Sequence, residues 1–337
     1  MVRAMKFRLC LVVAGLLVPV LALPQFAAAG MRQTASGSAE YRPAAPELEA
    51  KVPKRFRMDA HTFTWQAQSL GLDSENLEIW DVTFPSPVQT PHEVNNTVHC
   101  EYYQPKVAGR RPAVIVLHIL GGDFALSRVF CNALAQKGTA ALFLKMPYYG
   151  PRRPEGVNER MVSPDPEQTV ARMTQAVLDI RQAAAWLAAR EEVDEQQLGI
   201  MGISLGGITA ALAAGAEPRL QNVCLMLAGG DLGRIVAESK LLARHRAQWL
   251  ASGTDPKAAI EKIQVIDPLT YAPNVRGRRI LMLNARSDDV IPPACTQALW
   301  EALGRPPIRY FEGDHYSVIW HITKALYDVS HFFAQAN

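Results

Sequence analysis

Leu198-Gly199-Ile200-Met201-Gly202-Ile203-Ser204-Leu205-Gly206-Gly207-Ile208-Thr209-Ala210-Ala211 is the stretch on which the reading of this chain turns. Leu198 to Ile203 is an apolar run of strand length, and Ile208 to Ala214 is an Ala-rich helical pattern, so Ser204 sits at a strand-to-helix turn. A turn this sharp holds the serine backbone in a strained conformation, where side chains two residues before and after would collide; glycine at 202 and 206 relieves that. The product is a hydroxyl projecting above a sheet, with a helix N-terminus behind it to favour developing negative charge.

Outward from that turn the chain keeps the same grammar. Ala113–Leu117, Ala140–Leu144, Leu198–Ile203, Val223–Leu227 and Ile280–Leu283 are short apolar runs separated by helical patterns, which is how a buried parallel sheet reads. The intervening helices are expected at Leu126–Lys137, Glu167–Arg190 and Ile208–Ala214, with a last one at Ser317–Phe333. In the second, Val170, Met173, Val177, Ile180, Ala184 and Leu187 recur at three- and four-residue steps and give one apolar face, and Ser163-Pro164-Asp165-Pro166 supplies its start. The fold class is α/β: a doubly wound, mostly parallel sheet with helices on both faces. Residues 231–266 are too long for a plain strand-to-strand link. With a second helix start at Asp255-Pro256, they read as helical hairpin material over the sheet edge, either outer layer or a small helical cap over a pocket. Upstream, Leu77–Phe84 and Thr97–Tyr103 read as antiparallel strands at a sheet edge. Structure is expected to begin near Phe56, which makes 56–337 the folded domain and 30–55, mixed and aperiodic, a flexible leader.

The 337 residues are 49% hydrophobic and 20% charged, too apolar and too weakly charged for intrinsic disorder. Residues 1–29 read as a cleaved signal peptide: Arg3, Lys6 and Arg8, an apolar run from Leu9 to Leu23 broken by Pro19, and small residues Ala27-Ala28-Ala29 before Gly30. The expected location is therefore exported, periplasmic or secreted, with no stable membrane insertion after cleavage. Those three basic residues account for the net charge of +3, so the remainder is neutral. No Lys/Arg stripe suits a nucleic acid. Cys100, Cys131, Cys224 and Cys295 contain no C-x-x-C pair, which argues against a zinc cage or thioredoxin-type site and leaves disulfides and buried thiols both open. His99-Cys100-Glu101 lacks the second half of a zinc deaminase signature. No H-E-x-x-H or facing histidine pair calls for a metal, and no cofactor is expected.

Three further local patterns accompany the serine turn. His118-Ile119-Leu120-Gly121-Gly122-Asp123 follows the run Ala113–Leu117; Asp288-Asp289-Val290-Ile291-Pro292 follows Ile280–Leu283; Gly313-Asp314-His315-Tyr316 precedes the last helix. With these the chain, over nearly all of Thr97–Asn337, resembles the α/β-hydrolase superfamily, most closely its dienelactone-hydrolase and acetyl-esterase-like branches. The resemblance implies a serine hydrolase whose nucleophile, acid and base follow in the order Ser204, Asp288, His315. Asp288 is preferred to Asp289 by its spacing to Pro292. The resemblance also implies an oxyanion hole from the backbone N–H groups of Leu205 and Leu120. His118 departs from the superfamily's usual His-Gly pair, since Ile119 replaces the glycine, and is expected to support the loop rather than react.

Tyr148 and Tyr149, in Met146-Pro147-Tyr148-Tyr149-Gly150-Pro151 after a strand, are expected to bind substrate by lining the pocket. Trp186 and Trp320 are expected in the core and Asp314 in solvent. The function implied is cleavage of a small-molecule carboxylic ester through an acyl-enzyme. The rivals are a peptidase or amidase on the same scaffold and a non-catalytic binding protein that kept the scaffold. The sequence leaves the oligomeric state open.

Overall fold

The computed structural model describes residues 33–335 apart from 73, 123, 157, 158 and 254. The expected signal segment and Asp123 lie outside the described residues. Strands β1 (Thr34–Tyr41), β2 (His61–Ser69), β3 (Leu77–Pro85) and β4 (Thr97–Pro105) pair antiparallel in that order. Strands β5 (Arg111–Leu117), β6 (Ala140–Lys145), β7 (Val193–Ile203), β8 (Asn222–Met226), β9 (Arg279–Ala285) and β10 (Ile308–Phe311) are the parallel part. One ten-stranded sheet results, in the order β1-β2-β3-β4-β6-β5-β7-β8-β9-β10. Strand β4 joins the parallel part through antiparallel pairing with β6.

The unbroken apolar runs are explained by cover on both faces. Along β5, Ala113, Ile115 and Leu117 join one buried cluster while Val114 and Val116 join the other. All five are fully shielded from solvent, each large side chain contributing about 1.5–3 kcal/mol. The expected α/β architecture holds, and the chain leaves β5 toward β6 on one side and β7 on the other. A crevice at the strand C-termini forms where the winding reverses in this way.

Helices α1 (Pro46–Glu49), α2 (Ala125–Gln136), α3 (Pro166–Ala188) and α4 (Leu205–Ala216) come first. Asp165 caps α3 by accepting the Glu167 N–H at 2.9 Å, with Pro166 at the first helical position. In residues 231–266 stand α5 (Leu232–Glu238), α6 (Ala243–Ser252) and α7 (Pro256–Ile263). Asp255 caps α7 as its sequence suggested. The carboxylate of Asp267 then accepts the N–H groups of Asp231 (3.2 Å), Leu232 (2.6 Å) and Leu269 (2.9 Å), tying the insertion's two ends together. Helices α8 (Pro268–Tyr271), α9 (Pro293–Ala302) and α10 (Ile322–Ala334) complete the chain, the last preceded by a 3-10 turn at Ser317–His321.

Four expectations need correction. The stretch 30–55 is not merely a leader, because β1 pairs along its whole length with β2, from Thr34 opposite Gln68 to Tyr41 opposite His61. It is anchored by charge: buried Arg181 of α3 meets Glu49 at 2.7 Å and Glu217 at 3.2 Å, and its guanidinium also donates to the Phe56 carbonyl. Consequently β3 and β4 lie inside the sheet, with β2 and β1 beyond them. Helix α3 is buried on its polar side too, since Gln175, Asp179, Arg181 and Gln182 are all shielded. Finally, Trp186 is core, but Trp320 is 76% exposed on the 3-10 turn. The four cysteines beyond the expected signal are all buried free thiols, and no described helix is long and apolar enough to cross a membrane.

Candidate active site

The parallel strands deliver their C-termini to one rim, and the nominated residues stand just past them: Leu120 after β5, Ser204 after β7, Asp288 after β9 and His315 after β10. Ser204 adopts φ 56° and ψ −116°, the left-handed strain its turn foretold. A Cβ on Gly202 would lie 2.1 Å from the Gly206 carbonyl oxygen, across the turn. One on Gly206 would lie 2.7 Å from the Leu117 carbonyl oxygen and 2.6 Å from that of His118. The second glycine therefore does more than the sequence argument assigned it. It lets the start of α4 touch the end of β5, which brings the Leu120 loop beside Ser204.

His315 Nε2 lies 2.9 Å from Ser204 Oγ and its Nδ1 lies 2.7 Å from Asp288 Oδ2. All three residues are buried. A carboxylate only accepts, so Nδ1 carries the ring hydrogen and Nε2 accepts from the serine hydroxyl. Asp288 Oδ1 accepts the N–H groups of Val290 (2.9 Å) and Ile291 (2.7 Å), which fixes the carboxylate. Asp289 faces elsewhere, with Oδ2 3.0 Å from Lys240 Nζ in the insertion. Asp314 is exposed, accepts from Tyr316 and Ser317 N–H, and is held below the usual carboxylate range first by the Ser317 backbone N–H.

Leu205 opens α4, so its N–H has no acceptor within the helix. Leu120 sits in a turn closed by the Gly122 N–H on the Ile119 carbonyl at 3.2 Å. Both line a cavity of about 110 Å³ that opens on Ser204. Its other walls are largely aliphatic, with Met173 of α3, Ile208 of α4, Leu232 and Ile235 of α5, and Ile263 of α7 among them, and include Thr169 and Ser239. The insertion 231–266 is thus a cap over the pocket. The sequence offered little warning of these wall residues, which look like ordinary core until the cap is folded over them.

His118 is wholly buried and bonds through both nitrogens, Nδ1 to the Ile119 carbonyl at 2.8 Å and Nε2 to the Met146 N–H at 3.1 Å. Burial lowers its pKa from 6.5 to about 4. It ties the loop after β5 to the end of β6.

Tyr148 and Tyr149 do not line this cavity, and the expectation that they do is corrected. Both are buried. The Tyr148 N–H donates to Asn95 Oδ1 at 3.0 Å, and the Arg172 guanidinium covers its ring at 4.3 Å. The Tyr149 ring packs 4.6 Å from that of His118, and its hydroxyl has no hydrogen-bond partner among the described residues. Beneath them Arg152 and Asp179, both without exposure, pair at 2.8 Å; Arg152 also donates to the Asn95 carbonyl and Ser86 Oγ to Asp179 Oδ1. The turn after β6 is closed by that polar network.

This sheet order, capped rim and serine turn define the α/β-hydrolase superfamily. The chain belongs to the family described as alpha/beta hydrolase domain containing 18, whose model matches residues 50–232. The prolyl oligopeptidase family model matches residues 172–319. An uncharacterized protein of Mycobacterium tuberculosis is 32% identical over 178 residues, which cover 50% of this chain and only 40% of that protein's length. An uncharacterized 31.7 kDa protein of Escherichia coli is 23% identical over 257 residues, 64% of this chain and 85% of that one. Among solved structures, an acetyl xylan esterase from Paenibacillus sp. R4 superposes with TM-score 0.66 at 21% identity, covering 79% of this chain and 88% of that one. Acetyl xylan esterase 1 from Thermoanaerobacterium sp. JW/SL YS485 gives 0.60 at 20%, covering 78% and 88%. At these identities the likeness to solved structures is one of fold.

Proposed function

We propose that the protein is an exported serine esterase that cleaves small carboxylic esters through an acyl-enzyme. The observation that carries this reading is the hydrogen-bonded line Ser204–His315–Asp288 at the mouth of an aliphatic cavity. In the proposed reaction Ser204 Oγ attacks the ester carbonyl as its proton passes to His315 Nε2. The new oxyanion accepts hydrogen bonds from the Leu205 and Leu120 N–H groups, each such donor contributing about 100- to 1,000-fold in rate. His315 then returns the proton to the departing alcohol. Water, deprotonated by the same nitrogen, releases the acid. Asp288 orients the imidazole and stabilises its cationic form.

A second reading, amide or peptide hydrolysis, is favoured by the match of residues 172–319 to the prolyl oligopeptidase family. The aliphatic walls argue for esters, since they offer no charged group to a peptide terminus. Matched p-nitrophenyl esters and p-nitroanilides of short acyl groups separate the two. The ester reading expects turnover of the esters and none of the anilides; faster anilide cleavage would reverse it. Export follows from residues 1–29 as a cleaved signal, which N-terminal sequencing of the secreted or periplasmic protein tests.

A further inference from the structure

The cavity lies to one side of Ser204. Leu120 and Leu205, whose N–H groups hold the oxyanion in the proposed reaction, line it; His315 does not. The departing alcohol takes its proton from His315 Nε2, so it leaves on the imidazole's side. There Tyr316, Ile319 and Trp320, which follow His315 directly, are all exposed. The acyl group, which stays on Ser204, is the part that falls into the cavity.

The chemistry of the walls is narrow. No Asp, Glu, Lys, Arg or His is among the described residues that line the cavity. Of its hydroxyls, Ser204 Oγ bonds His315, and Thr169 Oγ1 donates to the Ser163 carbonyl at 3.0 Å while accepting the Ser163 N–H at 2.9 Å. Ser239 is 1% exposed, and its oxygen is shielded. An acyl group carrying a charge or a hydroxyl would lose its water here and find nothing to bond, which disfavours it strongly. Size adds a second limit. An apolar protein cavity of about 150 Å³ takes one benzene, six carbons, so one of about 110 Å³ takes about four carbons beyond the carbonyl.

The cap is held rather than free to swing. It contributes Ile235 from α5 and Ile263 from α7 to the wall. A Cβ on Gly233 of α5 would lie 2.8 Å from Ile260 Cγ2 of α7, so these two helices touch where α5 has no side chain. Besides the Asp267 carboxylate at its ends, two more bonds fix the cap. The indole N–H of buried Trp249, in α6, donates to the Pro164 carbonyl ahead of α3, and the Lys240 N–H donates to the Asp289 carbonyl at 3.3 Å.

We propose that the cap is a fixed gauge of acyl length, with Ile235 and Ile263 as specificity-determining residues, and that the substrates are esters of unsubstituted alkanoic acids of about four to six carbons. This rests on the reading of Ser204 as nucleophile.

The first test sets methyl pentanoate against its isomer butyl acetate, which carries the same atoms with the long chain on the alcohol. Methyl pentanoate is expected to have the higher kcat/KM by about tenfold or more, since each methylene buried in the cavity adds about fourfold. Equal rates, or faster butyl acetate, overturn the proposal. The second test runs p-nitrophenyl esters from acetate to octanoate, with the glutarate half-ester as a charged counterpart of pentanoate. The wild type should peak between butanoate and hexanoate and disfavour the half-ester by about 100-fold or more. In Ile235→Ala and Ile263→Ala the ratio of octanoate to butanoate should rise about tenfold, and in Ile263→Phe the ratio of pentanoate to acetate should fall about tenfold. Two positions keep the test open if one variant fails to fold. A merely structural isoleucine would slow every chain length alike, and that result, a wild type indifferent to chain length, or ready turnover of the half-ester overturns the proposal. Fluorophosphonate labelling of the wild type and of Ser204→Ala reads the nucleophile by itself, so failure of that assignment is distinguishable from failure of this one.

Discussion

Ser204 and Tyr148 both stand just beyond the C-terminal end of a parallel strand, and both carry left-handed backbone, at φ 56° and 65°. One opens on the cavity; the other is sealed. The difference lies in what covers each turn. Over Ser204 the cap supplies aliphatic side chains, which leave the hydroxyl to His315. Over Tyr148 the neighbours are Asn95 and Arg172, with the Arg152–Asp179 pair beneath, and these consume the available polar groups. Strand position puts a residue on the functional rim, but only its cover makes it part of a site.

The sharpest way to break this contrast is within the acid loop. Asp288→Asn should lower kcat for ester hydrolysis about 10,000-fold, because the ring loses its orienting carboxylate. Asp289→Asn, which touches only the exposed Lys240 contact, should change it about threefold or less. A larger loss in the second variant would reverse the assignment.

On the sealed side, Arg152→Met strands the buried Asp179 charge and should cost about 3–5 kcal/mol in urea unfolding. A loss below about 1 kcal/mol would mean the network is not what closes the turn.

His118 joins the two regions, and its effect is one of pH. Its folded pKa of about 4 lies below its ordinary 6.5, so between those values the unfolded chain binds the extra proton. Stability contributed by neutral His118 is therefore complete above pH 6.5 and drains away as pH falls toward 4, by about 3 kcal/mol in total. Unfolding free energies at pH 7 and pH 4 should show that excess loss in the wild type over His118→Gln. Equal losses would place His118 in contact with solvent.

The smallest effect belongs to Tyr149→Phe. Removing a buried hydroxyl that has no partner should leave stability unchanged or raise it by up to about 1 kcal/mol, with KM for esters within about twofold. A large rise in KM would restore the tyrosine to the pocket.

Much of this was legible in the sequence, for reasons that differ by residue. The five parallel runs declare themselves because a strand covered on both faces needs no polar alternation. Ser204, Asp288 and His315 are legible because each stands a fixed short distance from such a run or from the last helix. Strands β1, β2 and β10 were missed. The first exposes most of its side chains and owes its place to pairing with β2 and to the Arg181–Glu49–Glu217 cluster, contacts far apart along the chain. Strand β10 is four residues long, too short to show a period. The tyrosines misled because aromatic side chains after a strand suit a core as well as a pocket, and what decides between them is Asn95 and Asp179, remote in sequence.

The central claim is that Ser204 is a nucleophile activated by His315. Incubation of the folded wild-type protein with a fluorophosphonate, followed by peptide mass spectrometry, tests it most directly. The account predicts one adduct per chain, on Ser204, absent from Ser204→Ala and strongly slowed in a variant lacking the His315 imidazole. An unlabelled wild type, or an adduct on another residue, would contradict it.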